Sequence, residues 1–284
     1  MKLLITLVLL ISTLALNAQI NKPALSPRIT INQQVALVNV TLDYGQPNKQ
    51  NRKVFGSLIP YNKVWRTGAN SSTKLTFDQD IKLAGHSIPK GTYGLYSIPG
   101  KSEWTIIIHK DSKLWGSGGY DKANDLIRFQ VPVHHLTESV ETLNIRFENF
   151  KTDGGDLTIC WENTKVIIPL FVNSDHLIFK EILEKTASTN TTISGQTYFD
   201  AAQFYYHKNK DLNTAMVWFD KAIALKPTAF WYVYYKAELA LELKQYDVAK
   251  ETVSKSLSMA KQANNDYGYI AKCELLLHSI AKHN

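Results

Sequence analysis

Cysteine is nearly absent from this chain. Only Cys160 and Cys273 occur among its 284 residues, far apart in sequence, so a disulfide framework is excluded and no bridge between them is expected. Neither sits in a turn beside a His, so a catalytic thiol is not expected. Metal signatures are missing as well. His134 and His135 adjoin, and neighbouring side chains of a strand point to opposite faces, so the two cannot chelate together. There is no HExxH, CxxC, GxSxG or EF-hand loop, and neither metal nor cofactor is expected. The charge balance is basic, 32 Lys+Arg against 25 Asp+Glu, yet no more than two basic residues adjoin. A nucleic-acid surface would be denser. Beyond the first eighteen residues no run is apolar enough to span a bilayer, so an integral membrane protein is not expected after leader cleavage.

Those first eighteen residues, MKLLITLVLLISTLALNA, have Lys2 as their only charge, an apolar run from Leu3 to Leu16, and a small residue, Ala18, before Gln19. This is the pattern of a cleaved secretory signal peptide, 1–18. It predicts a periplasmic or extracellular protein. No Cys follows the run, so a lipid anchor is not expected.

From Arg28 to Val172 the apolar residues recur at every second position. In ALVNVTLDY, Val38, Val40, Leu42 and Tyr44 alternate with Asn39, Thr41 and Asp43. Trp104, Ile106 and Ile108 share a face, as do Leu143, Ile145 and Phe147, then Leu157, Ile159 and Trp161. Further strands are predicted at 73–77, 80–84, 92–98, 126–133 and 164–171. The stretch Asn149 to Gly155 is read as a hairpin loop. About nine short strands without an intervening helical run predict an antiparallel all-β sandwich or barrel over 19–172.

At Asn173 the spacing changes. Ser174 or Asp175 is a candidate N-cap, and Ile178, Phe179, Ile182 and Leu183 follow at helical intervals. Residues 173–194 therefore read as a connecting helix and a polar linker. Beyond it, Ala215, Phe219 and Ala222 are answered 34 residues later by Ala249, Val253 and Ser256. That is the length of a tetratricopeptide repeat, and Phe199, Ala202, Tyr206 and Pro227 fall at that repeat's usual positions. Gln203, Lys236 and Lys261 depart from it. Helices are predicted near 197–208, 212–225, 229–243, 246–261 and 266–281, making 195–284 an all-α helical-hairpin domain.

The densest candidate site is PYNKVWRTGAN, 60–70, in a long segment joining two strands. Such loops often carry binding groups. Arg66 is suited to a carboxylate, sulfate or phosphate, and Trp65 to stacking on a sugar, with Asn70 beside them. The same residues also fit a structural role, in which Trp65 plugs one end of the core and Arg66 pairs with a carboxylate such as Asp43. His109 ends a strand on the face opposite Trp104. Trp115 and Tyr120 flank three glycines in KLWGSGGYDKAND, whose spacing is wrong for a dinucleotide turn.

Residues 26–171 resemble a family of secreted bacterial proteins, domain of unknown function 2911. The resemblance rests on SPR at 26–28, LDYGQP at 42–47, RKVFG at 52–56, PYNKVWRTGAN at 60–70, PKGTYGLYSIP at 89–99, EWTIIIHKD at 103–111 and WG at 115–116. It implies export and an all-β domain, at times with helical repeats appended, and it brings no activity or catalytic residue. Gly45-Gln46 stands where the family pattern is closer to Ser-Arg. The leading expectation is an exported binding module. Its β domain would take a small anionic or glycan ligand near Trp65, Arg66 and Asn70, rimmed by Trp115 and Tyr120, and its repeats would dock a protein or peptide. The alternative is an envelope or extracellular hydrolase or isomerase, with Arg66 at an oxyanion and His109 with Asp43 or Asp111 moving the proton.

Overall fold

A computed structural model of the chain describes residues 22–187 and 193–283. The expected signal peptide and most of the expected 188–194 linker lie outside the described residues. The chain divides into two compact units at Ser174. The first holds nine antiparallel strands: β1 (Arg28–Val35), β2 (Val38–Gly45), β3 (Thr73–Phe77), β4 (Ile81–Leu83), β5 (His86–Ile88), β6 (Gly91–Pro99), β7 (Glu103–His109), β8 (Asp125–Lys151) and β9 (Gly154–Phe171). Their hydrogen-bonded order is β1-β2-β3-β6-β7-β8-β9-β4-β5.

The alternation sets which face is inside. Val40, Leu42 and Tyr44 of β2, Leu75 and Phe77 of β3, Leu95 of β6 and Trp104, Ile106 and Ile108 of β7 are all buried on one face. The β4–β5 turn is Ala84-Gly85, both left-handed at φ 46° and 85°, which a two-residue hairpin requires.

The strand count agrees with the sequence reading, but the strands differ. The predicted pieces at 126–133 and 141–148 are parts of a single 27-residue strand, β8. Those at 156–162 and 164–171 are likewise one 18-residue strand, β9. Strands β1 and β5 make up the number. Two register shifts between His135 and Asn144 carry β8 through a largely exposed stretch with no apolar alternation to reveal it. At Pro132 the strand changes partner: residues up to Pro132 pair with β7, and those from Val133 pair with β9. Proline has no N–H for a ladder, so it is tolerated at this handover. The hairpin loop read at 149–155 shrinks to Thr152-Asp153, since Lys151 pairs with Gly154.

The far half of β8 meets the chain leaving β2. Asn48 bridges to Thr142, Leu143 N donates to Pro47 O at 2.9 Å and Lys49 N to Glu141 O at 2.8 Å. The Tyr44 hydroxyl accepts from Ile145 N at 3.0 Å. These contacts tie the far half of β8 to the chain leaving β2.

The second unit holds six helices: α1 (Ser174–Thr186), α2 (Gly195–His207), α3 (Leu212–Leu225), α4 (Phe230–Glu242), α5 (Tyr246–Gln262) and α6 (Tyr269–Ala281). From α2 onward, connections of a few residues make sequence neighbours antiparallel. Ser194 and Asp211 cap α2 and α3 through side-chain oxygens. Ile182 of α1 packs with Phe199, Ala202, Phe219 and Tyr232 in one cluster. Ala237, Ala249, Val253 and Cys273 belong to a second. All six residues of the 34-residue repeat are fully buried. Cys160 and Cys273 are both free and buried, and burial raises both thiols above their ordinary range. Among the described residues no helix is long and apolar enough to cross a membrane.

Candidate functional site

The segment joining β2 to β3, residues 46–72, lies over one end of the β core. Its own polar atoms hold it there. Glu162 accepts from Val54 N and Phe55 N at 3.3 and 3.4 Å. Trp65 and Ser97 exchange backbone hydrogen bonds of 2.7 and 2.9 Å. Thr67 Oγ1 meets Ser97 Oγ at 2.9 Å, and Thr73 Oγ1 donates to Thr67 O at 2.7 Å.

This pairing makes 64–66 locally extended, so Trp65 and Arg66 face opposite ways. Trp65 goes inward and is 6% exposed. Its indole stacks on Trp161 with centroids 6.0 Å apart and meets Phe55 and Trp104 edge-on. Nε1 donates to Gly68 O at 3.1 Å. Only an edge of the ring is left to touch a ligand.

Arg66 is half-buried, and its Nε donates to Gly68 O at 3.4 Å. Asp43, the carboxylate considered for it, pairs instead with Arg28 at 2.6 Å. Among the described residues no carboxylate forms an ion pair with Arg66 or with Arg52. Arg52 and Arg66 both line one cleft of about 260 Å³, together with Ser26, Asn48 and Gln50, and with no Asp or Glu in its wall. Arg52 is anchored to Lys49 O and Asn48 O at 2.8 and 2.7 Å. These are carbonyl contacts, which hold the guanidinium and leave its charge uncompensated. Leu25, Leu58, Ile59 and edges of Trp65 and Trp161 supply the apolar part. Two cations over an apolar floor favour an anion; Arg52 is exposed, so water screens its share more than that of the half-buried Arg66.

The other candidates lie elsewhere. Asn70, at φ 64°, is exposed, and its amide donates to Ser26 O at 3.4 Å, bracing the cleft from outside. Trp115 is 74% exposed; its backbone bridges to Ser71, and it is not part of the cleft wall. Gly116 follows at φ 70°, and a Cβ there would lie 2.7 Å from Arg66 Nη1, so glycine lets the loop close over the guanidinium.

His109 is fully buried beneath this same loop. Nε2 lies 3.0 Å from Asp121 O, and Nδ1 lies 3.0 Å from Asp111 O and 3.1 Å from Asp111 N, so backbone atoms engage both ring nitrogens. The ring packs on Tyr96 and Tyr120 at 5.5 and 5.1 Å. Tyr96 donates to Gly116 O at 3.1 Å. Tyr120 donates to both Asp125 oxygens at 2.7 and 2.8 Å, and Arg128 bonds to both Asp125 and the phenol. Burial, then Asp125, pushes the Tyr120 phenol up to about 12, against the opposing pull of Arg128. These contacts pin residues 110–121 to the outer face of β6 and β7. His109 and Tyr120 are not among the cleft residues.

Of the six candidates, then, Trp65 and Arg66 share the cleft, Asn70 supports it, and the other three build and cap the adjoining loop. The residues that the motif reading missed are Ser26, Asn48, Gln50 and Arg52. The one available signal was the polar run NKQNR at 48–52 just ahead of the PYNKVWRTGAN segment.

The helical unit carries a second polar cluster. Tyr234 donates to Glu238 Oε1 at 2.8 Å. Burial raises the Glu238 carboxyl, and burial with Glu238 and Glu242 pushes the Tyr206 phenol up to about 12.

No curated protein matches the chain. The sequence model of the family described as "Protein of unknown function (DUF2911)" matches residues 26–170, half of the chain, and takes in Arg52, Trp65, Arg66, His109 and Trp161. The chain therefore belongs to the DUF2911 family.

Proposed function

We propose that this chain is an exported binding protein whose β unit holds a small anionic ligand in the Arg52–Arg66 cleft and whose helical unit docks a protein or peptide. One observation supports the reading of the β unit: Arg52 and Arg66, which form no ion pair with a carboxylate among the described residues, both line one cleft with no acidic residue in its wall. Unpaired arginines in such a setting are usually there for an anion. The 34-residue spacing of Ala215, Phe219 and Ala222 with Ala249, Val253 and Ser256, all buried, supports a tetratricopeptide-like array, whose common use is docking an extended partner. The leader-like first eighteen residues support export. The hydrolase reading is disfavoured, because both His109 nitrogens are engaged by backbone atoms of the loop above it and neither is left to move a substrate proton.

Calorimetric titration with inorganic phosphate, sulfate and glucuronate tests this. At least one should bind, and Arg66→Met should weaken it about 10- to 100-fold, the range of a lost charge-assisted hydrogen bond of ~1.5–3 kcal/mol. Raised salt should weaken binding in the same direction. If no anion binds, or Arg66→Met and Arg52→Met bind as the wild type does, the cleft is not an anion site.

A further inference from the structure

The polar half of the cleft leaves its other half unexplained. Leu25 is 85% exposed and Leu58 38%, which places both among the exposed large apolar side chains of the described residues. Both line the Arg52–Arg66 cleft. Single exposed leucines are ordinary, but two at one mouth, above an apolar floor, form a patch that water wets poorly. The floor is Ile59 with edges of Trp65 and Trp161, and the two indoles are 6% and 1% exposed. They are held in place by the core, so the floor does not collapse when empty.

The cleft is also small. Its volume of about 260 Å³ lies below the roughly 300 Å³ at which sites for whole drug-sized ligands begin. It suits an acid group and the first few carbons attached to it. The rest of such a molecule would emerge past Leu25 and Leu58. A bare inorganic anion would satisfy the guanidiniums and leave the leucines wet, and an acidic sugar would set hydroxyls against them. Neither covers both halves.

We infer that the ligand is a single-chain amphiphile, an acid headgroup such as a phosphate or carboxylate joined to an apolar tail. The headgroup lies between Arg52 and Arg66, and the tail runs over Leu25 and Leu58. This rests on the reading of the cleft as an anion site. The same chemistry is offered by a free amphiphile and by the headgroup and proximal chain of an anionic lipid.

Titrating the full-length protein with octyl phosphate, inorganic phosphate and octanol separates the possibilities. Octyl phosphate should bind at least tenfold more tightly than inorganic phosphate, and octanol weakly or not at all. The double variant Leu25→Ser/Leu58→Ser, altered only at exposed positions, should bring the ratio of octyl phosphate to inorganic phosphate affinity down towards one. Arg66→Met should weaken both anions while its thermal midpoint shows that it is folded. Equal binding of the two phosphates, unchanged by the leucine variant, overturns the amphiphile and leaves the anion site standing. Failure of both phosphates removes the anion site itself. Co-sedimentation with phosphatidylglycerol–phosphatidylcholine vesicles, lost in the leucine variant, would identify a membrane lipid as the source. Binding of octyl phosphate without vesicle binding would identify a free amphiphile.

Discussion

The Tyr120 phenol donates to Asp125 while Arg128 closes the group from the other side, and the fold holds it neutral up to about pH 12 rather than its ordinary 10.0. A folded pKa above the unfolded one means the folded state keeps the proton more tightly. The stabilisation is thus complete below pH 10 and is lost as pH rises from about 10 to 12. Urea midpoints measured at pH 8, 10 and 11 should fall more steeply for the wild type than for Tyr120→Phe; parallel slopes would show that the phenol is not held this way. At this scale the sequence is least legible. Trp65 and Arg66 are adjacent, and an extended segment sends one inward and one outward; the indole is the one a core takes, but the partner of Arg66 is not written in the residues. His109 looks like a free strand-end histidine because its partners are main-chain atoms of Asp111 and Asp121, which no side-chain pattern reports. Arg52 and Gln50 escape for a similar reason: their segment is held by Glu141 and Thr142, far away in sequence, with Glu141 accepting from Gln50 N at 2.8 Å.

Elements are more legible, because burial is periodic. The every-second-residue rhythm places Leu143, Ile145 and Phe147, and Leu157, Ile159 and Trp161, inside, and each is 8% exposed or less. The helical repeat is likewise visible, since close helix contact needs small residues at fixed positions and Ala215, Ala222 and Ala249 provide them with no exposure. Where burial stops, so does the signal: β8 continues through 134–140 by hydrogen bonding, with its side chains largely exposed, and reads as a gap. Phe219 tests the helical core. It is fully buried with its ring 5.9 Å from that of Phe199. Phe219→Ala should destabilise the helical unit by about 3–5 kcal/mol. Urea unfolding followed by helical circular dichroism measures this, and a change below ~1 kcal/mol would mean the packing around Phe219 is not what holds α2 and α3 together.

At the scale of the molecule, the chain divides into two compact units at Ser174. Helix α1 packs with α2 and α3 through Ile182 and so lies in the second unit. Residues 22–174 and 175–283 expressed separately should each retain their own circular dichroism, strand-like for the first and helical for the second, and each should unfold in one transition. An unstructured 175–283 fragment would show that its core is not self-sufficient. Within the β unit the handover at Pro132 has a further consequence. A single uninterrupted piece of backbone is stitched to β7 along one stretch and to β9 along the next. Freeing either neighbour strips that backbone of support on which the other depends. Heat or denaturant therefore has no half-open state to stop at, and the platform beneath the arginine cleft is either wholly present or wholly lost.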